Sequence, residues 1–218
     1  MTGILHTLPL LVLSINMMAI NPFINDMNHT MTQAKEEQTK DIQTAVFGSG
    51  CFWCSEAIFS RLNGVSHVVP GYSGGQTQNP SYEDVKTGST GHAEVIRISF
   101  DPNIISFIQL LEVFFRTHDP TTLNRQGADV GTQYRSVIFY HSEEQKEVAS
   151  QVKKRLDQEK IWDNPIVTEI SQAKVFYEAE QYHHKYFEKN PTQAYCQFVI
   201  LPKVEKFKGM FEDMLRNK

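Results

Sequence analysis

Cysteine is scarce in this chain, with three among 218 residues. An odd, unevenly placed set cannot form the paired bridges of a disulfide-stapled secreted scaffold. There is no basic excess: 21 Lys and Arg stand against 25 Asp and Glu, for a net charge of −4. That excludes the basic domain or stripe that marks a nucleic-acid binder. No apolar run is long enough to span a bilayer unaided, and no internal repeat is visible. The first 34 residues contain no Lys or Arg, and Asp26 is their only acid. What is present in quantity is aromatic: 14 Phe, 8 Tyr and 2 Trp. That much large apolar surface excludes a wholly disordered chain, and the length suits one domain with a real core plus appendages.

The leader divides from the rest by composition. Leu8–Leu13 and Met17–Ile20 are short apolar stretches of the kind found in a signal-peptide h-region. The basic n-region and the small-residue cleavage site that would accompany one are missing. Residues 1–43 are therefore expected to be a disordered extension, with Met27 or Met31 as an alternative initiator, or else a signal segment. Residues 35–42 read as a solvated linker. The folded domain is expected over 44–218.

Within it, strand and helix patterns mix. Thr44–Phe47, Val65–Pro70, Ala93–Phe100, Arg135–Tyr140 and Pro165–Ile170 read as strands. In Ala93–Phe100, residues Val95, Arg97 and Ser99 alternate with Ile96, Ile98 and Phe100, as a half-buried strand requires. Helices are predicted over Cys51–Leu62, Tyr82–Lys86, Phe107–Arg116 with Ser106 as N-cap, Ser142–Lys160 opened by a Ser142/Gln145 capping box, and Phe176–Phe187. At the end, Val204, Phe207, Phe211 and Leu215 recur at helical spacing and predict an amphipathic helix over Lys203–Leu215 that packs back on the domain. The segment His118–Tyr134 has no periodicity, and ordered loops of that length are usually functional. The fold class expected is α+β, a two-layer α/β sandwich.

Three constellations bear chemistry. In Gly48-Ser-Gly-Cys-Phe-Trp-Cys54 a strand runs through a glycine turn into a helix, which puts Cys51 at a helix N-terminus. Free N–H groups and the macrodipole there favour a thiolate, the reactive form of cysteine. Two buried structural thiols, or half a zinc site, would show the same residues. For zinc the only further ligands on offer are His183 and His184, whose adjacency makes a poor chelate. Glu94, behind the loop Gly88-Ser-Thr-Gly91, would be a proton donor if burial raised its pKa, and a surface acid on an edge strand otherwise. Asp129 and Tyr134 in the long loop, with Tyr82, fit either turn chemistry or stabilisation of a polar substrate oxygen.

Together, the motifs closely resemble one family, the A-type peptide methionine sulfoxide reductases. The residues that carry it are GCFWC (50–54), GYSGG (71–75), NPSYEDVKTGSTGHAE (79–94), FDP (100–102), HDPTTLNRQGADVGTQYRS (118–136) and FYEAEQYHHKYFEKNP (176–191). In order and spacing the resemblance runs from about Val46 to Lys203. It implies a ferredoxin-like core with long coil segments. It also implies reduction of the S epimer of methionine sulfoxide, protein-bound and free, as repair after oxidative damage. Cys51 would attack the sulfoxide sulfur, and Glu94 would protonate the departing oxygen. Tyr82 and Tyr134 would hydrogen-bond that oxygen, with Asp129 ordering the pocket through water. Phe52 and Trp53 would wall the site of the S-methyl group.

Attack would leave Cys51 as a sulfenic acid, which condenses with a second thiol. Cys196, after a Tyr in NPTQAYC, holds the family's usual resolving position. Cys54 is the alternative and a departure, since many members carry Gly or another small residue there. Spaced three residues from Cys51 on one helix, its thiol is expected to point away from a direct bridge. Thioredoxin would reduce the final disulfide, with no cofactor or metal, no nucleic acid or membrane partner, and a monomeric chain. Thioredoxin dependence and the odd cysteine count favour the cytoplasm; the apolar leader leaves export open. The rival reading is a thioredoxin-like C-x-x-C disulfide oxidoreductase.

Overall fold

The computed structural model describes residues 42–216. The reading of the leader as an extension or a signal segment lies outside them, apart from its last two residues. Six strands form the central sheet: β1 Gln43–Ser49, β2 Val65–Ser73, β3 Ala93–Phe100, β6 Ser136–Tyr140, β7 Glu169–Gln172 and β8 Tyr177–Glu178. Their order is β7-β6-β1-β3-β2-β8. A small separate hairpin holds β4 Arg125–Gln126 and β5 Asp129–Val130. The inner four strands of the main sheet carry α1 Phe52–Phe59 between β1 and β2, and α3 Phe107–Thr117 between β3 and β6. The short α2, Tyr82–Lys86, sits in the β2–β3 connection. The result is a β-α-β-β-α-β unit with every neighbouring pair antiparallel. That is the ferredoxin-like arrangement.

Strand alternation decides the layers. Ala45 and Phe47 of β1 and Ile96, Ile98 and Phe100 of β3 lie in the main core. They share it with Ile58 of α1, Phe114 of α3, Val152 of α4 (Glu143–Gln158) and Phe207 of α6 (Leu201–Met210). The opposite face carries only Val46, Ala93, Val95, Val137 and Phe139 under Ala173 and Phe176. The helices therefore cover one face, and the expected two-layer α+β sandwich is what the chain forms.

Helix starts follow local chemistry. Ser106 accepts the Gln109 N–H at 3.3 Å while Gln109 returns a side-chain oxygen to the Ser106 N–H at 2.9 Å. At α4 the predicted box is half-made: Ser142 accepts from the Gln145 N–H at 3.2 Å, but the Gln145 side chain bonds the His141 N–H and the Thr44 carbonyl. Three element predictions need correction. Residues 165–168 are not strand, because the Ile166 N–H goes to Asp157 and the Val167 N–H to the Pro120 carbonyl; β7 begins at Glu169, parallel to β6. Residues 176–187 are not a helix. Tyr177 pairs with Tyr72 in the sheet, and Lys185 takes a left-handed φ of 54° with its N–H given to the Glu56 carboxylate. Only α5, Tyr186–Lys189, is helical there.

The C-terminal helix stops at Met210, short of Leu215. Val204, Phe207 and Phe211 are nevertheless buried in the main core, and Leu215 pairs with Leu62. Tertiary partners override the propensity of these short segments. Among the described residues, no helix is long and apolar enough to cross a membrane.

Candidate active site

The site forms where β1 hands the chain to α1. Gly50 makes the turn with φ +88°, a conformation that suits glycine, and a Cβ there would sit 2.6 Å from Gln126. Gln126 has little room to yield, since its amide bonds both the N–H and the carbonyl of Asp119 at 3.1 and 3.0 Å. Gly50→Ala is expected to cost about 2 kcal/mol or more, read as a lower denaturation midpoint at unchanged slope.

Cys51 follows as the N-cap of α1, at φ −58°, ψ 122°, with no side-chain cap bond. The orphan N–H of Phe52 is taken by the Glu94 carboxylate at 3.1 Å. Residue parity on β3 explains the meeting: Glu94 shares the face of Ile96 and Ile98, which α1 covers. Glu94 is buried in the middle of the sheet, so the edge-strand surface reading is wrong. Burial and the nearby Cys51 sulfur push its carboxyl well above the ordinary range, against the opposing bond from Phe52. A carboxyl whose burial favours the protonated form therefore stands at the nucleophile's helix end.

Cys51, at ψ 122°, lies outside the helical dihedrals that the expected direction of Cys54 assumes. The two thiols influence each other, and burial, then Cys51, also raise Cys196. Burial, then Cys54, raise Cys51. Cys51 lowers Cys54 against its burial, and the Lys203 ammonium, 3.9 Å from Cys54 Sγ, adds to the effect. Cys196 is buried too, at the start of a π-helical turn, Cys196–Ile200, and none of the three cysteines is bridged. Single π turns of this kind occur frequently at functional sites.

Aromatic rings surround this centre. Phe52 is buried, 6.5 Å from Tyr82 in a stacked pair and 5.8 Å from Tyr72. Trp53 is half-buried and stacks on Tyr186 at 3.7 Å. Its indole N–H donates to His183 Nδ1 at 3.0 Å. That leaves the proton of the neutral imidazole on Nε2, 3.6 Å from Glu180; burial holds the His183 pKa down to about 4. Glu180 also accepts from the Tyr72 hydroxyl and the Tyr82 N–H, each at 2.8 Å. His183 is thus a brace for Trp53, and among the described residues no group of three or more His, Cys, Asp and Glu is placed to hold a metal.

Tyr134 ends a 3-10 turn, Thr132–Tyr134, that follows the β4–β5 hairpin. Burial and the neighbouring Glu94 raise the phenols of Tyr82 and Tyr134, so both remain hydrogen-bond donors. Asp129 accepts directly from the Tyr195 hydroxyl at 2.8 Å. The structure brings Cys51, Glu94, Tyr82, Tyr134, Asp129, Phe52 and Trp53 together. Tyr195, His183 with Glu180, and Tyr186 also border the site, and of these only His183 was weighed from the sequence, as a zinc ligand. The aromatic density of 176–187 and the Tyr before Cys196 were the only signals of them.

With this geometry in hand, likeness to known proteins is decisive. The family model for peptide methionine sulfoxide reductase matches residues 43–215. The chain belongs to the peptide methionine sulfoxide reductase family. Family members of similar sequence include MsrA of Saccharolobus solfataricus, 53% identical over 175 residues that cover 80% of this chain and 98% of that one. MsrA of Polynucleobacter asymbioticus is 49% identical over 185 residues, 85% and 97% of the two chains. Among solved structures, the reduced form of Mxr1 from Saccharomyces cerevisiae matches with a TM-score of 0.66 at 35% identity, covering 74% of this chain and 92% of that one. MsrA of Corynebacterium diphtheriae matches at 0.63 and 33%, covering 72% and 78%. Family membership sets aside the thioredoxin-like reading of the Cys51–Cys54 pair.

Proposed function

We propose that this chain reduces the S epimer of methionine sulfoxide, in proteins and as the free amino acid, with Cys51 as the oxygen acceptor. The observation that carries the reading is the buried Glu94 carboxyl accepting the Phe52 N–H at 3.1 Å, beside Cys51 at the start of α1, where burial favours its protonated form. A sulfoxide oxygen leaves sulfur only when protonated, and a soft thiolate attacks sulfur readily. Glu94 lends its proton to the oxygen and regains one from the Cys51 thiol. The Cys51 sulfur bonds the substrate sulfur; the protonated oxygen then passes to the Cys51 sulfur as that S–S bond and the substrate S–O bond break, methionine leaves, and Cys51 holds the oxygen as a sulfenic acid.

Tyr82 and Tyr134 donate to the oxygen as charge develops on it. Asp129 orients the Tyr195 hydroxyl, which borders both thiols. Phe52 and the braced Trp53 favour the S-methyl group over water. The sulfenic acid is then cleared by a second thiol. Cys54, one helical turn along and beside the Lys203 ammonium, closes the first bridge, with Cys196, which Cys51 also influences, receiving it by exchange and thioredoxin reducing it. An epimer-resolved assay with thioredoxin and with dithiothreitol tests this: loss of the S epimer alone is expected, and equal consumption of both epimers would refute it. Cys54→Ser or Cys196→Ser should keep one turnover while thioredoxin-driven cycling drops.

A further inference from the structure

Lys203 reacts with nothing in the scheme above, yet it is half-buried on α6 with its ammonium 3.9 Å from Cys54 Sγ. A lysine stem packs readily along apolar surface with its head in water, so an ammonium brought up to a buried sulfur is the feature that calls for a role. The groups that face Cys54 can be named. Cys51 lies beside it on the same helix, Asp129 on β5, Tyr195 before the π turn and Lys203 on α6. Of these, Lys203 is the only cation, and Asp129 opposes it. The Tyr195 hydroxyl donates to Asp129.

We propose that Lys203 is a positioning residue that acts through Cys54, holding that thiol as the thiolate that closes the bridge to Cys51. The step balances simply. Cys54 sulfur attacks the sulfenic sulfur of Cys51, the S–S bond forms, and the S–O bond breaks. Hydroxide leaves and takes a proton to become water; Cys54 is oxidised and the sulfenic sulfur reduced. An attacking thiol is fastest when its pKa lies near the ambient pH, where it is both ionised and still nucleophilic. An ammonium at this distance moves a buried thiol toward that optimum. The helix geometry supports the assignment, since α6 enters through Pro202 at its first turn and brings Lys203 onto α1 at Cys54.

The inference rests on the proposed sulfenic chemistry only for its kinetic half. Its other half, the charge state of Cys54 in the reduced resting enzyme, is measured without substrate. Thiolate absorbance near 240 nm is followed against pH in the reduced full chain. Lys203→Met, which keeps the stem, should raise the first thiol midpoint by about one unit or more, and Lys203→Arg should restore most of it. In the Cys54→Ser background the same Lys203→Met change should do nothing, a double-mutant cycle that a purely structural role would not produce.

In single turnover with methionine sulfoxide, Lys203→Met should release one equivalent of methionine at the parent rate while loss of the second free thiol slows about tenfold, as one unit implies. An unmoved midpoint, or an equal shift with and without Cys54, would overturn the proposal. Failure of the parent enzyme to release methionine would instead strike the functional reading and leave the titration to stand by itself.

Discussion

Cys51→Ser is expected to abolish reduction of the S epimer, by about 10⁴-fold or more. The serine hydroxyl is nearly isosteric but cannot accept the sulfoxide oxygen, because an alcohol is a hard, undissociated nucleophile under these conditions. Structural consequences should be slight. Cys51 has no side-chain cap bond to lose, and its backbone carbonyl, which accepts from Cys54 N–H at 3.1 Å, is untouched by the change. The variant should therefore keep its melting temperature and lose its activity with both dithiothreitol and thioredoxin. Appreciable residual turnover with either reductant would move the chemistry to another thiol.

Glu94→Gln is expected to lower the rate about 10²- to 10⁴-fold, the usual range for a lost acid. Glutamine can still accept the Phe52 N–H through its carbonyl, so the start of α1 survives; only the transferable proton is lost. The wild-type rate should fall as pH rises through the elevated Glu94 pKa, and that limb should vanish in the variant. Stability should move the other way. The folded pKa of Glu94 is raised, so the native state holds a proton that the unfolded state gives up, and this contribution is lost as pH rises through the folded value. Above that range the buried carboxylate is a burden, and an amide that ionises in neither state removes it. The Glu94→Gln variant should therefore lose less stability than wild type as pH rises through the folded Glu94 value. Stability kept or gained while rate is lost marks a group retained for chemistry.

Much of this site was legible before the fold. Ile96, Ile98 and Phe100 set the parity of β3, and the same parity turns Glu94 toward α1. The glycines before Cys51 marked the strand-to-helix turn, and the resemblance gathered the two tyrosines and Asp129. Harder to see were contacts between segments far apart in sequence. Lys203 is 149 residues from Cys54, and no local pattern announces that meeting. His183 and His184 looked like a doubtful metal pair; one in fact braces Trp53 across 130 residues.

Residues 176–187 carry helix-compatible spacing, yet their backbone and carboxylates are spent on β2, Tyr72 and Tyr82. Helical spacing assumes helical dihedrals at both residues, and Cys51, as N-cap, does not have them, so spacing alone does not give the relation of Cys51 to Cys54. Position on the chain was readable; the exchange of backbone bonds for tertiary ones was not.

The most direct test follows the oxygen. A variant with both Cys54 and Cys196 changed to Ser is reacted once with methionine sulfoxide labelled with oxygen-18, then trapped and fragmented. Cys51 should carry the labelled oxygen as its sulfenic acid, with one equivalent of methionine released. Methionine released without label on Cys51, or label on any other residue, would contradict the assignment of Cys51 as the oxygen acceptor.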